Sequence, residues 1–328
     1  MSAANAAPAS GGQGLKGRTL PPYAGAIIGT LLLGAYASFT NEFFFTSRNL
    51  LTILAQVSIV AIMAAGAAMV IITKGIDLAV AAVGALAGTT AGVVAVDWGL
   101  NGALAILFAL GIGTLAGLIQ GLLVSYMGLP AFIVTLGGLS AWRGLANHFT
   151  GGIANTGMPR SIEFIGREKI VGDLEFPIIL TVVVYAVLWV LLNNRRFGVH
   201  LYALGGNENA AKNAGLPVQR LKLTAYVAAG ALAALGALVQ IGRLDSANGS
   251  IMVGLELEII AAVVIGGISL FGGEGSILGA FYGALFIRVI RNWMNLEGYS
   301  SFIQAIVIGV VIVTAVVIDQ LRKRASQT

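Results

Sequence analysis

Asn194–Lys222, NRRFGVHLYALGGNENAAKNAGLPVQRLK, is a polar stretch enclosed by apolar ones, and the rest of the chain can be ordered around it. It carries five cations, Arg195, Arg196, Lys212, Arg220 and Lys222, against one carboxylate, Glu208. Within it, residues 207–214 read as a short helix. Asn207 caps it, Glu208 lies at the positive end of the helix dipole, and Gly215-Leu216-Pro217 ends it. A helix of two turns does not persist alone in water, so an ordered one is held by the ends of flanking segments or by a docked partner. The plainer reading is a solvated loop whose cations only set orientation, since basic loops are general on the inner side of membrane proteins.

On either side of that stretch the chain is lipid-soluble. Of its 328 residues, 57% are hydrophobic and 10% are charged, where a soluble domain carries about 25% charged residues. A membrane span takes about 20 mainly apolar residues. Ten segments approach that length: 24–40, 50–72, 78–96, 102–127, 130–146, 176–193, 223–242, 254–271, 276–293 and 302–319. The expected fold is an all-α polytopic membrane protein of about ten transmembrane helices, with 130–146 the one most open to being tilted or incomplete.

The cations report orientation. Eleven Lys and Arg fall in 1–22, 73–77, 194–222 and 320–328, against five in the alternate loops, around Arg48, in 147–175 and at Arg243. This bias places both termini in the cytoplasm with an even number of crossings. Residues 1–22 read as a flexible cytoplasmic tail rich in Ala, Gly and Ser, with no credible signal-peptide cleavage pattern. Residues 23–320 form the transmembrane domain, and 321–328 a basic cytoplasmic tail. A net charge of +5 dispersed between hydrophobic spans does not point to nucleic acid. The absence of cysteine removes disulfides, thiolate metal sites and thiol nucleophiles.

Few polar residues lie at membrane depth, so each counts. Gln56 and Ser58 fall in the second span; Gln56 is a pathway candidate, whereas Ser58 bonds its own helix. Asp77, in Lys74-Gly75-Ile76-Asp77-Leu78, caps the third helix or contacts the pathway. Gly113, Gly117 and Gly121, four apart, let helices approach closely. Arg143 lies near a span end and is expected to snorkel, while the four acids and three cations of 147–175 suit a docking surface, a lid or a plain connection. Glu256 and Glu258 open the eighth span about 200° apart on a helix, which reads as two interfacial residues and not a paired acid/base site. Arg288 and Arg291 share one helix face, and either snorkel or contact a polar partner. No Gly-Lys-Ser/Thr occurs, so a phosphate loop is absent.

A weak internal echo runs through the chain. Gly128-Leu-Pro-Ala-Phe-Ile returns 170 residues later as Gly298-Tyr-Ser-Ser-Phe-Ile, and the same offset carries span 50–72 onto 223–242 and 102–127 onto 276–293. Five spans per half would set the halves in opposite orientations, a 5+5 inverted repeat of the kind common in transporters.

Several stretches together resemble one family. They are Lys74–Leu78 before a small-residue helix, LPAFIVTLGGLSAWRGLA at 129–146, Ala203–Gly215, AAVVIGGISLFGGEGS at 261–276, and the tail from Asn292 to Asp319. In this order, over residues 45–320, they resemble the permease subunit of bacterial sugar ABC importers of the ribose/xylose type. The resemblance implies a ten-helix permease of the bacterial inner membrane that dimerises with a second copy. It further implies cytoplasmic ABC ATPase subunits as partners, which bind the ATP, and a neutral sugar or polyol received from a periplasmic binding protein. It makes 194–222 the ATPase-coupling loop, with Arg195, Arg196, Gly205, Gly206, Asn207, Glu208, Asn209, Ala210, Ala211, Lys212 and Gly215 as its coupling residues. Leu204, Ala210, Ala214 and Leu216 would supply the apolar anchoring, and Gln56, Asp77, Phe132, Thr135 and Phe271 would line the pathway. No cofactor, metal or catalytic residue is expected in this chain.

Two departures stand out. Where the family carries Glu-Ala-Ala, this chain has Asn209-Ala210-Ala211, with its acid one position earlier at Glu208. The family's Gly-Ile-Asp-Leu-Ser-Val-Gly becomes Gly75-Ile-Asp77-Leu-Ala79-Val-Ala81, without the hydroxyl and the second glycine. Other classes fit less well. A proton- or sodium-coupled transporter relies on intramembrane acids, which here lie near predicted helix ends. An enzyme would need a nucleophile, base or metal set, and His148 and His200 fall on opposite predicted faces. A branched-chain amino-acid permease would need a charge-compatible path, whereas this one reads as neutral.

Overall fold

The computed structural model describes residues 21–325, so the expected N-terminal tail up to residue 20 and the last three residues lie outside the described residues. Among the described residues, thirteen α-helices follow one another, with four strands of two or three residues. Six helices are long and apolar enough to cross a membrane: α2 (Ser47–Ile72), α3 (Val80–Gly92) with the π-helical turn Val93–Asp97 that continues it, α4 (Gly102–Ser125), α7 (Phe176–Asn193), α10 (Val218–Leu244) and α13 (Ser301–Ala325). The other four expected segments also contain helices. They are α1 (Ala24–Thr40), α5 (Ala131–Thr150), α11 (Leu255–Ile265) and α12 (Ile277–Leu296).

The eighth expected span, 254–271, is the one that departs. Helix α11 stops at Ile265, because Gly266 and Gly267 let the chain leave the helix and Gly267, Gly272, Gly273 and Gly275 all take positive φ. The segment 266–276 then folds back as a partly buried loop in which the Ser269 amide donates to the Glu274 carbonyl.

Helix α2 is apolar on every side and is buried on every side from Val57 to Ile72, as a helix lacking a polar face must be. Ser58 donates to the Leu54 carbonyl of its own helix at 3.0 Å, which satisfies the hydroxyl locally. Helix α2 packs against α10 and α12, and α10 packs in turn against α4. The α4–α10 contact is a small-residue seam. A Cβ on Gly113 would lie 2.5 Å from the Gly230 carbonyl oxygen, and one on Gly117 would lie 2.3 Å from that of Tyr226. The glycine ladder therefore serves helix packing.

The chain ends of the bundle gather into two faces. The cap face carries residues 147–175, which are ordered rather than a plain loop. Helix α6 (Arg160–Arg167) lies on α10, with Gly166 and Gly242 backbone to backbone. Strand β1 (Asn155–Thr156) pairs antiparallel with β4 (Ser246–Ala247), and β2 (Lys169–Val171) forms a hairpin with β3 (Leu174–Glu175). Arg243 meets Glu175 at 2.5 Å, and the Met158 amide donates to Asp245 at 2.7 Å. In the hairpin, Lys169 hydrogen-bonds Asp173 at 2.7 Å and holds its carboxyl below the usual range. That pair is exposed and contributes little stability. The connector face carries 194–222 in α8 (Arg196–Gly206) and α9 (Glu208–Asn213), together with the loops 73–79 and 266–276.

Gly111 and Gly113 lie on the same helix, but nothing lies within 4 Å of a Cβ at Gly111. Gly113→Leu should lower the thermal midpoint of the purified chain by forcing α4 off α10, an overpacking cost of about 1–3 kcal/mol. Gly111→Leu should stay within about 0.5 kcal/mol of wild type, as surface changes do. Equal midpoints for the two variants would contradict the seam.

Candidate functional site

The connector platform is built from the residues the sequence singled out, with one element added. Asn207 caps α9, its side chain accepting from the Ala210 amide at 3.0 Å. Ahead of it lies α8, eleven residues that polarity alone had concealed, because Leu201 and Leu204 recur on one face and are fully buried. Leu204 therefore packs inside the chain and offers no outward anchor, contrary to the expectation from sequence; Ala211 is likewise buried. The outward face is small and polar: Gly206, Asn207, Asn209, Ala210, Lys212, Ala214 and Gly215 are exposed, as are Arg195 just ahead of α8 and Arg196 at its start. Leu216 is half-buried. Glu208, the shifted acid, is held by Lys222 of its own chain, whose Nζ lies 2.7 and 2.8 Å from its two oxygens.

The platform rests directly on the bundle. A Cβ on Gly205 would lie 1.8 Å from the Ile72 carbonyl oxygen and 2.5 Å from the Gly273 amide nitrogen. The Gly273 amide donates to that same Ile72 carbonyl at 2.9 Å, and Lys74 Nζ donates to the Gly206 carbonyl at 3.3 Å. Three segments thus meet backbone to backbone: the end of α2, the loop after α11, and the α8–α9 junction. Only glycine at 205 permits that approach.

The five pathway candidates do not line one cavity. Asp77 and Thr135 come together at the connector-face loop. The Thr135 hydroxyl lies 2.9 Å from the Ile76 carbonyl, and Asp77 accepts from the Ala79 amide at 2.8 Å, turning the chain into α3. Both are buried. Phe132 is exposed on α5, and Phe271 is exposed in the loop after α11. Gln56 lies toward the cap face, in a cavity of about 480 Å³ lined by the ends of α2, α10, α11, α12 and α13.

That cavity holds residues whose pairing sequence reasoning missed. Glu258 is buried, with its side chain 5% exposed, and it receives Arg288 at 3.0 Å and Arg291 through its other oxygen. Glu258 is therefore not interfacial, and the two arginines turn inward instead of snorkelling. The three-residue spacing of Arg288 and Arg291, which puts both on one helix face, was the available signal; what they face depends on how α11 packs on α12. Arg143 also turns inward, donating to the Gly249 and Ile251 carbonyls at 3.0 and 2.6 Å. Asn49 of α2 and Asn292 of α12 exchange hydrogen bonds at 3.0 and 2.8 Å. No group of His, Asp and Glu that could hold a metal occurs among the described residues.

Removing the charge of Glu258 would leave two partly buried guanidiniums without the carboxylate they share. Glu258→Gln should destabilise the chain by about 3–5 kcal/mol. Glu208→Gln breaks a pair whose acid is 45% exposed and should cost no more than about 1 kcal/mol. Thermal melting of both purified variants checks this, and similar midpoints would contradict the buried triad.

With this geometry in hand, comparison with known proteins is informative. A family model described as "Branched-chain amino acid transport system / permease component" matches residues 49–316. The ribose import permease protein RbsC of Escherichia coli K12 is 38% identical over 302 residues, which cover 91% of this chain and 94% of that protein. RbsC of Bacillus subtilis is 40% identical over 298 residues, covering 90% and 92%. The fructose import permease protein FrcC of Rhizobium meliloti is 37% identical over 311 residues, covering 92% and 86%. No solved structure matches. The matched region spans both the connector platform and the Glu258–Arg288–Arg291 cavity, and the chain belongs to this family of membrane transport permease components.

Proposed function

We propose that this chain is the permease subunit of a sugar ABC importer of the bacterial inner membrane. It would pass a neutral pentose, hexose or polyol delivered by a periplasmic binding protein, powered by separate ATPase subunits that bind the ATP. The observation that carries the proposal is the connector platform, a short capped helix with a small, polar outward face seated on the ends of the spanning helices. A helix of six residues is held in place here by its own chain, and its outward face is left for a partner. The names of the relatives, ribose and fructose import permeases, favour a sugar over a branched-chain amino acid. An ion-coupled carrier is disfavoured because, of the two buried acids among the described residues, Glu258 is held by two arginines and Asp77 is engaged in capping α3 through the Ala79 amide.

Ten crossings with both termini in the cytoplasm form part of this reading. Support comes from the chain's alternation: successive helices among α1, α2, α3, α4, α5, α7, α10, α11, α12 and α13 run from one face to the other, and the start of α1 and the end of α13 fall on the connector side, beside the loop 266–276. The 5+5 inverted repeat is supported by matched packing. Helix α2 packs on α12 as α10 packs on α4, and α3 packs on α4 and α5 as α11 packs on α12 and α13. Gly128 and Gly298, 170 residues apart, both take positive φ, +70° and +74°, ahead of α5 and α13.

In this mechanism, ATP binding draws two ATPase subunits together beneath a permease dimer. Each subunit moves the α8–α9 platform, and the Gly205 contact passes that movement to the end of α2 and to the loop after α11. Arg195, Arg196 and Lys212 supply charge pairing at the rim. Glu208 is engaged within the chain, so the ATPase contact that the family's acid would make is replaced by amide and apolar contacts from Asn209 and Ala210.

The test is co-purification of the tagged chain from membranes co-expressing its candidate ABC ATPase. Ala210→Asp and Lys212→Glu, both on the outward face, should lose the ATPase while keeping the wild-type melting midpoint; Ala211→Asp should lose stability as well, because Ala211 is buried. If both outward-face variants retain the ATPase as wild type does, coupling lies on another surface. If wild type retains none, the importer reading fails.

A further inference from the structure

We infer that the groove between α1 and α13, at the connector end of the bundle, is a binding site for a bilayer phospholipid with a primary-amine headgroup. The inference goes beyond the permease reading and holds whichever solute the chain passes. Helix α1 packs on α12, and α13 packs on α11. Between them these two outer helices leave a groove of about 560 Å³, lined also by Phe286 of α12 and by the loop 266–276. That volume falls within the roughly 300–1,000 Å³ usual for small-molecule sites. On α13 the lining runs from Val310 to Asp319, about 13 Å along the helix axis. The groove is therefore elongated and parallel to a spanning helix, the direction an acyl chain takes in a bilayer.

Its polarity is graded along that length. Phe286 and Val310, each near the middle of its helix, make the deep end apolar, whereas Glu274 and Asp319 lie at the connector end. The Glu274 carboxylate has no ion-pair or hydrogen-bond partner among the described residues. Ser269, close by in the same loop, is buried; its oxygen accepts from the Phe271 amide at 3.3 Å, and its hydroxyl proton has no acceptor among the described residues. The connector end thus offers an unpaired anionic acceptor and an unused donor beside apolar walls. An aminophospholipid answers all three. Its ammonium donates to Glu274, a charge-assisted contact. A phosphate or ester oxygen accepts from Ser269, and an acyl chain lies along α13. A choline headgroup has no N–H to donate to the carboxylate, and an anionic headgroup brings no cation to it. The loop that carries Ser269 and Glu274 also carries Gly273, whose amide reaches the Ile72 carbonyl beneath the platform. A lipid seated in the groove would therefore bear on the segment that meets the platform.

Native mass spectrometry tests the proposal, on the full-length chain delipidated in detergent and titrated with phosphatidylethanolamine, phosphatidylglycerol and phosphatidylcholine of matched acyl chains. Wild type should retain one phosphatidylethanolamine with an affinity about tenfold above that for the other two lipids, the effect of one hydrogen bond to a charged group. Glu274→Gln should abolish that preference while keeping the wild-type melting midpoint, because the side chain is exposed and unpaired. Ala315→Phe, which fills the groove from α13, should lose the bound lipid whatever its headgroup. Glu42→Gln, at an exposed acid between α1 and α2 on the opposite face, should match wild type. Equal retention of the three lipids by wild type, stronger retention of phosphatidylglycerol, or a preference that survives Glu274→Gln would overturn the site. A lipid-free dimer that Ala315→Phe splits would overturn it as well, and would assign the groove to a second copy of the chain.

Discussion

The backbone meeting at Gly205 is the contact on which the architecture of the connector face depends. The Ile72 carbonyl ends the central helix α2, the Gly273 amide donates to it, and the α8–α9 junction closes over both. A carbonyl at a helix end has lost its intrahelical partner and must find another donor where water is scarce. Gly273 supplies that donor only because positive φ at Gly272 and Gly273 turns the loop back toward α2. Glycine at 205 then removes the side chain that would hold the platform away. One satisfied hydrogen bond and one missing Cβ place a surface helix in register with the interior. Any force applied to the platform therefore reaches two interior segments with no side chain between them.

The opposite end of the molecule solves a different problem with the same economy of charge. Glu258, Arg288 and Arg291 bring three formal charges to a depth where an isolated ion is strongly disfavoured. Sharing one carboxylate between two guanidiniums leaves the group stable only while α11 and α12 stay packed. The triad therefore ties helix packing to the polarity of the cavity, and rearrangement of either helix would alter both together. Around it the cap segment is pinned to the end of α10 through Glu175, Arg243 and Asp245. The cap and the cavity thus share α10 as a common wall.

Much of this was legible in the residues. The length and spacing of the apolar runs marked the helices, and Asn207 with Gly215 marked a short helix in the polar stretch, because capping depends on neighbours within a few positions. The glycine ladder at 113, 117 and 121 was readable as a packing seam for the same local reason. What escaped reading was α8, whose buried Leu201 and Leu204 sit among residues polar enough to suggest a solvated loop. The early end of α11 was also missed, because an apolar run does not disclose where glycine breaks it. The residues alone assign Arg143 to snorkelling and leave Arg288 and Arg291 between snorkelling and a polar partner, since a long side chain near a span end reaches either water or a partner, and the partner lies 30 or more residues away in sequence.

The sequence by itself determined that the chain is an all-α membrane protein and which apolar runs carry its long helices. It also determined that a capped helix interrupts the apolar pattern, because hydrophobic length and capping act over a few adjacent residues. Only the tertiary structure decided that Glu208 would be answered by Lys222, that Glu258 would take two arginines, and that Gln56 would face a polar chamber while Phe132 and Phe271 would not. Those outcomes depend on which helices pack side by side. That choice is made by burial summed over the whole bundle, a quantity no local stretch contains.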